Sequence, residues 1–167
     1  MKNDKINEFV GGNRMKRIIV YFSWSGNTLD LASKIKDILC CDMARIERKI
    51  PYSKNYHECA YVEAKEEIDK RILPDINLLN IDFSGYDEII LMFPIWWYTI
   101  PMCVGTFIKE LKNYKGKVII CANSYTNDKQ YMLNSLNDIK KINPELNVVE
   151  GLFNKSALEH IGFLKEE

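Results

Sequence analysis

Two short stretches carry side chains suited to holding a ligand. Ser23-Trp24-Ser25-Gly26-Asn27-Thr28 gathers hydroxyl and amide groups around one glycine. It follows an apolar run and precedes a helical pattern, so the free N–H groups of a helix start lie beside it. Those amides and the positive end of the helix dipole attract an anion. Gly26 allows close backbone approach. No Lys or Arg lies inside the loop, and neither G-x-x-x-x-G-K-[ST] nor G-x-G-x-x-G occurs. A nucleoside triphosphate loop of Walker type and a dinucleotide fingerprint are therefore excluded. The same residue types also suit a plain helix cap, so this loop alone is balanced between a cap and a phosphate cradle.

The second stretch, Pro94-Ile95-Trp96-Trp97-Tyr98-Thr99-Ile100-Pro101, sets three large aromatics between two prolines. One Trp fits easily in a core. Three aromatics in a proline-bracketed loop are hard to bury, and a planar ligand stacking on one of them explains their placement. A third stretch, Asn123-Ser124-Tyr125-Thr126-Asn127-Asp128, offers donors to the same ligand. It reads equally as a solvated connection in which Asn127 or Asp128 caps the next helix. An anion cradle at one strand end and an aromatic wall at another are the two halves of a flavin mononucleotide (FMN) site.

The elements that must position these loops follow from the hydropathy pattern. Arg17 to Phe22, Glu88 to Phe93 and Lys117 to Cys121 are continuous apolar runs, as expected of strands buried on both faces. Short outer strands are expected near Met43 to Glu47 and Leu146 to Glu150. Helical spacing appears from Leu29 (Leu31, Ile35, Ile38, Leu39), after Pro101 (Val104, Phe107, Ile108, Leu111), at Met132, Leu136, Ile139 and Ile142, and at Ala157, Leu158, Ile161 and Leu164. Pro101 suits the first helical position. A further amphipathic helix is expected over Ala60, Ala64, Ile68 and Ile72, ended by Pro74, with Glu63 to Arg71 as its solvated face. Strands alternating with helices imply a doubly wound α/β domain with a parallel sheet covered on both faces. Ligands of such sheets bind beyond the carboxyl ends of the strands, where Ser23, Pro94 and Ala122 fall.

The chain has 167 residues, with 23 basic and 23 acidic side chains. One domain over residues 16–167 is expected, with residues 1–15 as a flexible arm. Zero net charge gives no field for nucleic acid or an anionic membrane. No apolar run approaches the roughly 20 residues of a membrane helix, and no signal-peptide pattern is present. The five cysteines, an odd number without a C-x-x-C pair, read as free thiols in a reducing cytoplasm. His57 and His160 sit at no zinc-ligand spacing to them.

Ile18 to Ile35, with S-x-S-G-N-T, resembles the flavodoxin phosphate loop T/S-x-T-G-x-T. Tyr86 to Phe107, with F-P-I-W-W-Y-T-I-P, resembles a bacterial flavodoxin-like subgroup whose second loop reads P-I-W-W-G-T-x-P. Pro51-Tyr52-Ser53, Tyr56, Glu58-Cys59 and the charged helix after them are similar to the same subgroup. The resemblance covers Arg17 to Leu152. It implies a five-stranded sheet of order 2-1-3-4-5 and non-covalent FMN. It implies Ser23, Ser25, Gly26, Asn27 and Thr28 at the phosphate, with the Trp24 backbone N–H, and Pro94, Ile95, Trp96, Trp97 and Tyr98 at the ring. Asn123, Ser124 and Tyr125 would complete the site. Two departures stand out. The subgroup's third loop is usually Ser-Gly-Gly-rich, and Tyr98 stands where Gly is common. Flavodoxins are also typically acidic, and this chain is neutral.

The expected function is electron transfer between redox partners through FMN, which supplies the redox chemistry. An FMN-dependent reductase of quinone-like acceptors and a binding module with a degenerate flavin site are the alternatives. Phosphoryl chemistry is excluded more firmly. No cysteine is followed at the sixth position by Arg, and Phe22-Ser23 and Phe93-Pro94 stand where a receiver domain needs carboxylates. A Ser-His hydrolase lacks a histidine near a strand end. Tyr52, Tyr56, Tyr61 and His57 read as surface or core residues, with a lid over the site as the alternative. Cys103 and Cys121 read as small packing residues.

Overall fold

The computed structural model describes residues 14–154, 156–157 and 159–160. The expected N-terminal arm lies outside these residues except for Arg14 and Met15, and so do Leu158, Ile161 and Leu164 of the expected closing helix. Five strands form the sheet: β1 Arg17–Tyr21, β2 Asp42–Arg45, β3 Glu88–Pro94, β4 Lys117–Asn123 and β5 Asn147–Phe153. Their spatial order is β2-β1-β3-β4-β5, as expected, and every pairing is parallel. The helices are α1 Asn27–Leu39, a π-helical stretch Glu58–Ala64 that continues into α2 Lys65–Lys70, α3 Met102–Glu110 and α4 Lys129–Ile142.

The apolar runs are continuous because alternate residues feed two cores. Ile18, Val20, Ile89, Leu91, Phe93, Val118 and Ile120 face one side, against Val104, Phe107 and Ile108 of α3 and Met132 and Ile139 of α4. Ile19, Tyr21, Ile90, Met92, Ile119 and Cys121 face the other, against Ala32, Ile35 and Leu39 of α1 and against Ala157. Each fully buried aliphatic side chain contributes roughly 1.5–3 kcal/mol relative to exposure, so the central strands fix the frame on which the loops sit. Cys103 and Cys121 are buried in these cores as small packing residues. All five thiols are free.

Several boundaries differ from expectation. Helix α1 starts at Asn27 rather than Leu29, because Gly26 serves as its N-cap. Pro101 is the N-cap of α3, with extended backbone, rather than its first turn. The helix expected to run to Pro74 ends at Lys70, where Arg71 turns left-handed with φ 54°. Its first half is π-helical. Ala64 is buried, while Ile72 lies past the left-handed Arg71 and is exposed. No helix among the described residues is long and apolar enough to cross a membrane.

Candidate functional site

The first loop leaves β1 and enters α1 through Gly26, whose φ of 98° is left-handed. Glycine adopts that geometry without the penalty a side chain incurs. No side chain caps α1, so its first amides stand uncommitted. Ser23 and Thr28 are buried. The Ser23 hydroxyl accepts the Gly26 N–H at 3.1 Å, and its carbonyl accepts Arg45 Nη2 at 2.9 Å. Asn123 Nδ2 donates to Thr28 Oγ1 at 3.4 Å. These two hydroxyls therefore shape the loop. Ser25 and Asn27 are exposed beside the helix start. A Cβ built on Gly26 would meet no heavy atom within 4 Å, so the space over the cap is open to a phosphate-sized group.

The second loop begins at Pro94, which pairs in register with Asn123 at the ends of β3 and β4. The Ile95 N–H donates to the Asn123 carbonyl at 3.1 Å. Trp96 and Thr99 then exchange two backbone bonds of 2.9 and 3.1 Å. Between them Trp97 and Tyr98 both have positive φ, 46° and 70°. This is the geometry of a type I′ turn, which favours Asn-Gly. Holding two bulky residues there costs on the order of 1–3 kcal/mol each.

Each indole has its own tie. Trp97 Nε1 donates to the Ala60 carbonyl at 2.7 Å, and the Lys65 ammonium lies 5.2 Å from its ring centre. Trp96 meets Phe22 and Tyr52 edge to face at 5.2 and 5.1 Å. Trp24 Nε1 donates to the Ser53 carbonyl at 3.0 Å.

These loops border one cleft of about 510 Å³, within the ordinary range of ligand pockets. Trp24, Ser25 and Asn27 line it from the first loop, Ile95, Trp96, Trp97 and Tyr98 from the second, and Ser124 and Tyr125 from the third. Asn123 lies outside it, in a neighbouring recess of about 320 Å³ shared with Asn27, Ser124, Tyr125 and Asn154. Tyr125 is 97% exposed and does not close over the ring wall. Asp128 caps α4 by accepting the Gln130 N–H at 2.8 Å.

The π-helical side of the cleft was not legible as such. Tyr56, Cys59, Ala60 and Tyr61 line it, as does Tyr131 of α4. Tyr52 instead packs in the core, and the exposed His57 stacks on Tyr61 at 5.2 Å. The stretch Glu63 to Arg71 is not simply a solvated face. Glu67 is 4% exposed. It accepts the Tyr52 hydroxyl at 2.6 Å and pairs with Arg48 at 3.1 Å. Arg48 also pairs with Glu63 at 3.2 Å, and Glu63 accepts the Ser53 N–H at 2.8 Å. An apolar repeat cannot reveal these partners, because Arg48, Tyr52 and Ser53 precede the helix. Burial raises the Glu67 carboxyl above its usual range and pushes the Cys59 thiol up to about 11.

A doubly wound parallel sheet of order β2-β1-β3-β4-β5, with a cleft lined by the loops beyond its strand ends, has the flavodoxin-like fold. The family model Flavodoxin_4, described as flavodoxin, matches residues 16–162, and the chain belongs to that family. A flavoprotein from Lactobacillus acidophilus NCFM, solved in complex with FMN, is 25% identical. The alignment covers 89% of this chain and 99% of that one, with a TM-score of 0.76. A flavoprotein from Bacteroides eggerthii DSM 20697 is also 25% identical, covering 92% and 97%, with a TM-score of 0.77. YcaK of Escherichia coli K12, an uncharacterized NAD(P)H oxidoreductase, is 26% identical over 104 residues, 56% of this chain. The chain spans about half, 52%, of that relative's length.

The residues at the cleft are of types that fit FMN. The start of α1 offers uncommitted amides with open space over Gly26, and Ser25 and Asn27 beside it line the same cleft as Trp96, Trp97 and Tyr98.

Proposed function

We propose that this protein is an FMN-binding redox carrier. Non-covalent FMN would have its phosphate on Ser25, Gly26, Asn27 and the first amides of α1. Its ring would lie against the Pro94–Pro101 loop. When bound, the flavin supplies one- and two-electron chemistry, while the chain orients it and limits water at one face. One observation carries the reading: the uncapped start of α1 and the Trp96-Trp97-Tyr98 wall border the same cleft. The FMN complex of the Lactobacillus relative supports the choice of cofactor. Ser23 and Thr28 would act through the loop's shape, and Pro94 and Asn123 through the strand ends that launch the other two loops.

A second reading, an FMN-dependent NAD(P)H oxidoreductase of quinone-like acceptors, is favoured by the similarity to YcaK. Exposed Tyr56 and Tyr61 beside the cleft give a second planar molecule stacking surfaces.

The test is a visible spectrum of the purified protein, followed by FMN titration read as quenching of flavin fluorescence. Flavin absorbance bands or saturable quenching are expected. Colourless protein that leaves FMN fluorescence unchanged would overturn both readings in favour of a flavin-free binding module. NAD(P)H-dependent reduction of a quinone by the flavin-loaded protein would establish the second reading over the first.

A further inference from the structure

The strained Trp97-Tyr98 turn must be held by something beyond its own two backbone bonds. Helix α4 presents three side chains to it, at positions 131, 134 and 138. This i, i+3, i+7 spacing lies along one helix face. Tyr131 packs on Tyr98, with ring centres 5.4 Å apart. Asn134 Nδ2 donates to the Tyr98 carbonyl at 3.0 Å. Thr99 Oγ1 donates to Asp138 Oδ2 at 2.5 Å. Arg71, the left-handed residue that closes α2, pairs with the same oxygen at 3.0 Å.

Asp138 is only 6% exposed, and burying a carboxylate is costly unless partners compensate. Its helix neighbours Met132 and Ile139 serve the core with apolar atoms. Packing alone therefore gives no reason for a charge at this position. Its bonded partners are a residue of the turn and the arginine that anchors it from the other side.

We propose that Tyr131, Asn134 and Asp138 form a clamp on α4 that holds the Trp97-Tyr98 turn in its cleft-facing conformation, with Asp138 as a positioning residue. Arg71 fixes the carboxylate, the carboxylate fixes Thr99, and Thr99 closes the turn through its bonds to Trp96. What the clamp serves rests on the proposed FMN site. The clamp itself can be tested without ligand.

The first measurement is amide hydrogen exchange on the FMN-free protein, comparing wild type with Asp138→Ala and Asp138→Asn. Exchange of the Thr99 amide should accelerate on the order of tenfold in Asp138→Ala, the effect of losing about one hydrogen bond locally. Leu91 and Ile120 amides in β3 and β4 should stay unchanged. Asp138→Asn, which still accepts from Thr99, should recover part of the protection. Tyr98→Gly relieves the strain at one of the two left-handed positions, so adding Asp138→Ala to it should accelerate Thr99 less than in wild type. Uniform acceleration across the core, no acceleration at Thr99, or an equal effect in the Tyr98→Gly background would each overturn the clamp. The second measurement is FMN titration of the same variants, with affinity expected to fall several-fold in Asp138→Ala. If wild type does not bind FMN, the functional reading fails and the exchange experiment still decides the clamp. If wild type binds FMN and Asp138→Ala binds it equally well, the clamp does not position the site.

Discussion

The indole N–H of Trp97 reaches the backbone carbonyl of Ala60, 2.7 Å away in the π-helical stretch. The tip of the β3 loop is thereby tied to a segment far away in the sequence. Replacing Trp97 with Phe keeps an aromatic ring but removes this donor. We expect a loss of about 1–2 kcal/mol in urea unfolding and weaker quenching in the FMN titration. Unchanged values in both would show that the tie does no work.

Gly26→Ala separates backbone strain from ligand space. The added methyl meets no protein atom, so stability should fall by only about 1–2 kcal/mol for a left-handed non-glycine residue. The methyl enters the volume assigned to the phosphate. Affinity for FMN should therefore fall more than stability does, by about tenfold or more, given the dependence of anion capture on close backbone approach. A variant that binds FMN as wild type does would remove the phosphate from this cap.

The buried Glu67 carboxyl titrates above its ordinary value near 4.5, chiefly because burial disfavours its charge. The folded protein thus holds this proton more tightly than the unfolded chain. The group's stabilising contribution is complete below the ordinary value and is lost as pH rises through the raised one. Glu67→Gln lacks the titration. Urea unfolding at pH 4 to 8 should show the stability of wild type relative to Glu67→Gln declining with increasing pH, then levelling. A constant difference, or one that grows, contradicts this assignment.

Thiol reactivity should follow burial. Cys40 is exposed, Cys41 is half-buried, and Cys59, Cys103 and Cys121 are buried. Burial raises the thiols of Cys41, Cys59, Cys103 and Cys121, keeping them protonated and unreactive near neutral pH. A colorimetric disulfide reagent at pH 7.5 should titrate Cys40 rapidly and Cys41 slowly. All five thiols should react in denaturant. Rapid labelling of Cys59 in the native protein would mean that the cleft floor is open.

The central strands were legible because strands buried on both faces must be apolar at every position, and Ile18-Ile19-Val20, Ile89 to Phe93 and Val118 to Cys121 are; their order followed only from the resemblance of the two loops to flavodoxins. The first two loops were legible because Gly26 and the Trp96-Trp97 pair are conspicuous where they stand. The walls were not. Tyr61 reaches the cleft through a π-helical stretch whose phase no 3.6-residue repeat describes, and Tyr56 from the turn just before it. Tyr131, Asn134 and Asp138 share a face with polar side chains that a hydropathy pattern assigns to solvent. Their role depends on the left-handed turn at Trp97 and Tyr98, which those residue types do not announce. Glu67 looked solvated because its partners Arg48 and Tyr52 lie on the preceding connection.

The side chains lining the cleft carry no formal charge. Dissolved ions compete with lysine and arginine for an anion and screen such contacts over about 8 Å at physiological ionic strength. They compete poorly with fixed backbone amides. A phosphate held as proposed should therefore survive dialysis against molar sodium chloride, and its release should require loosening of the Gly26 turn itself, as in mild denaturant.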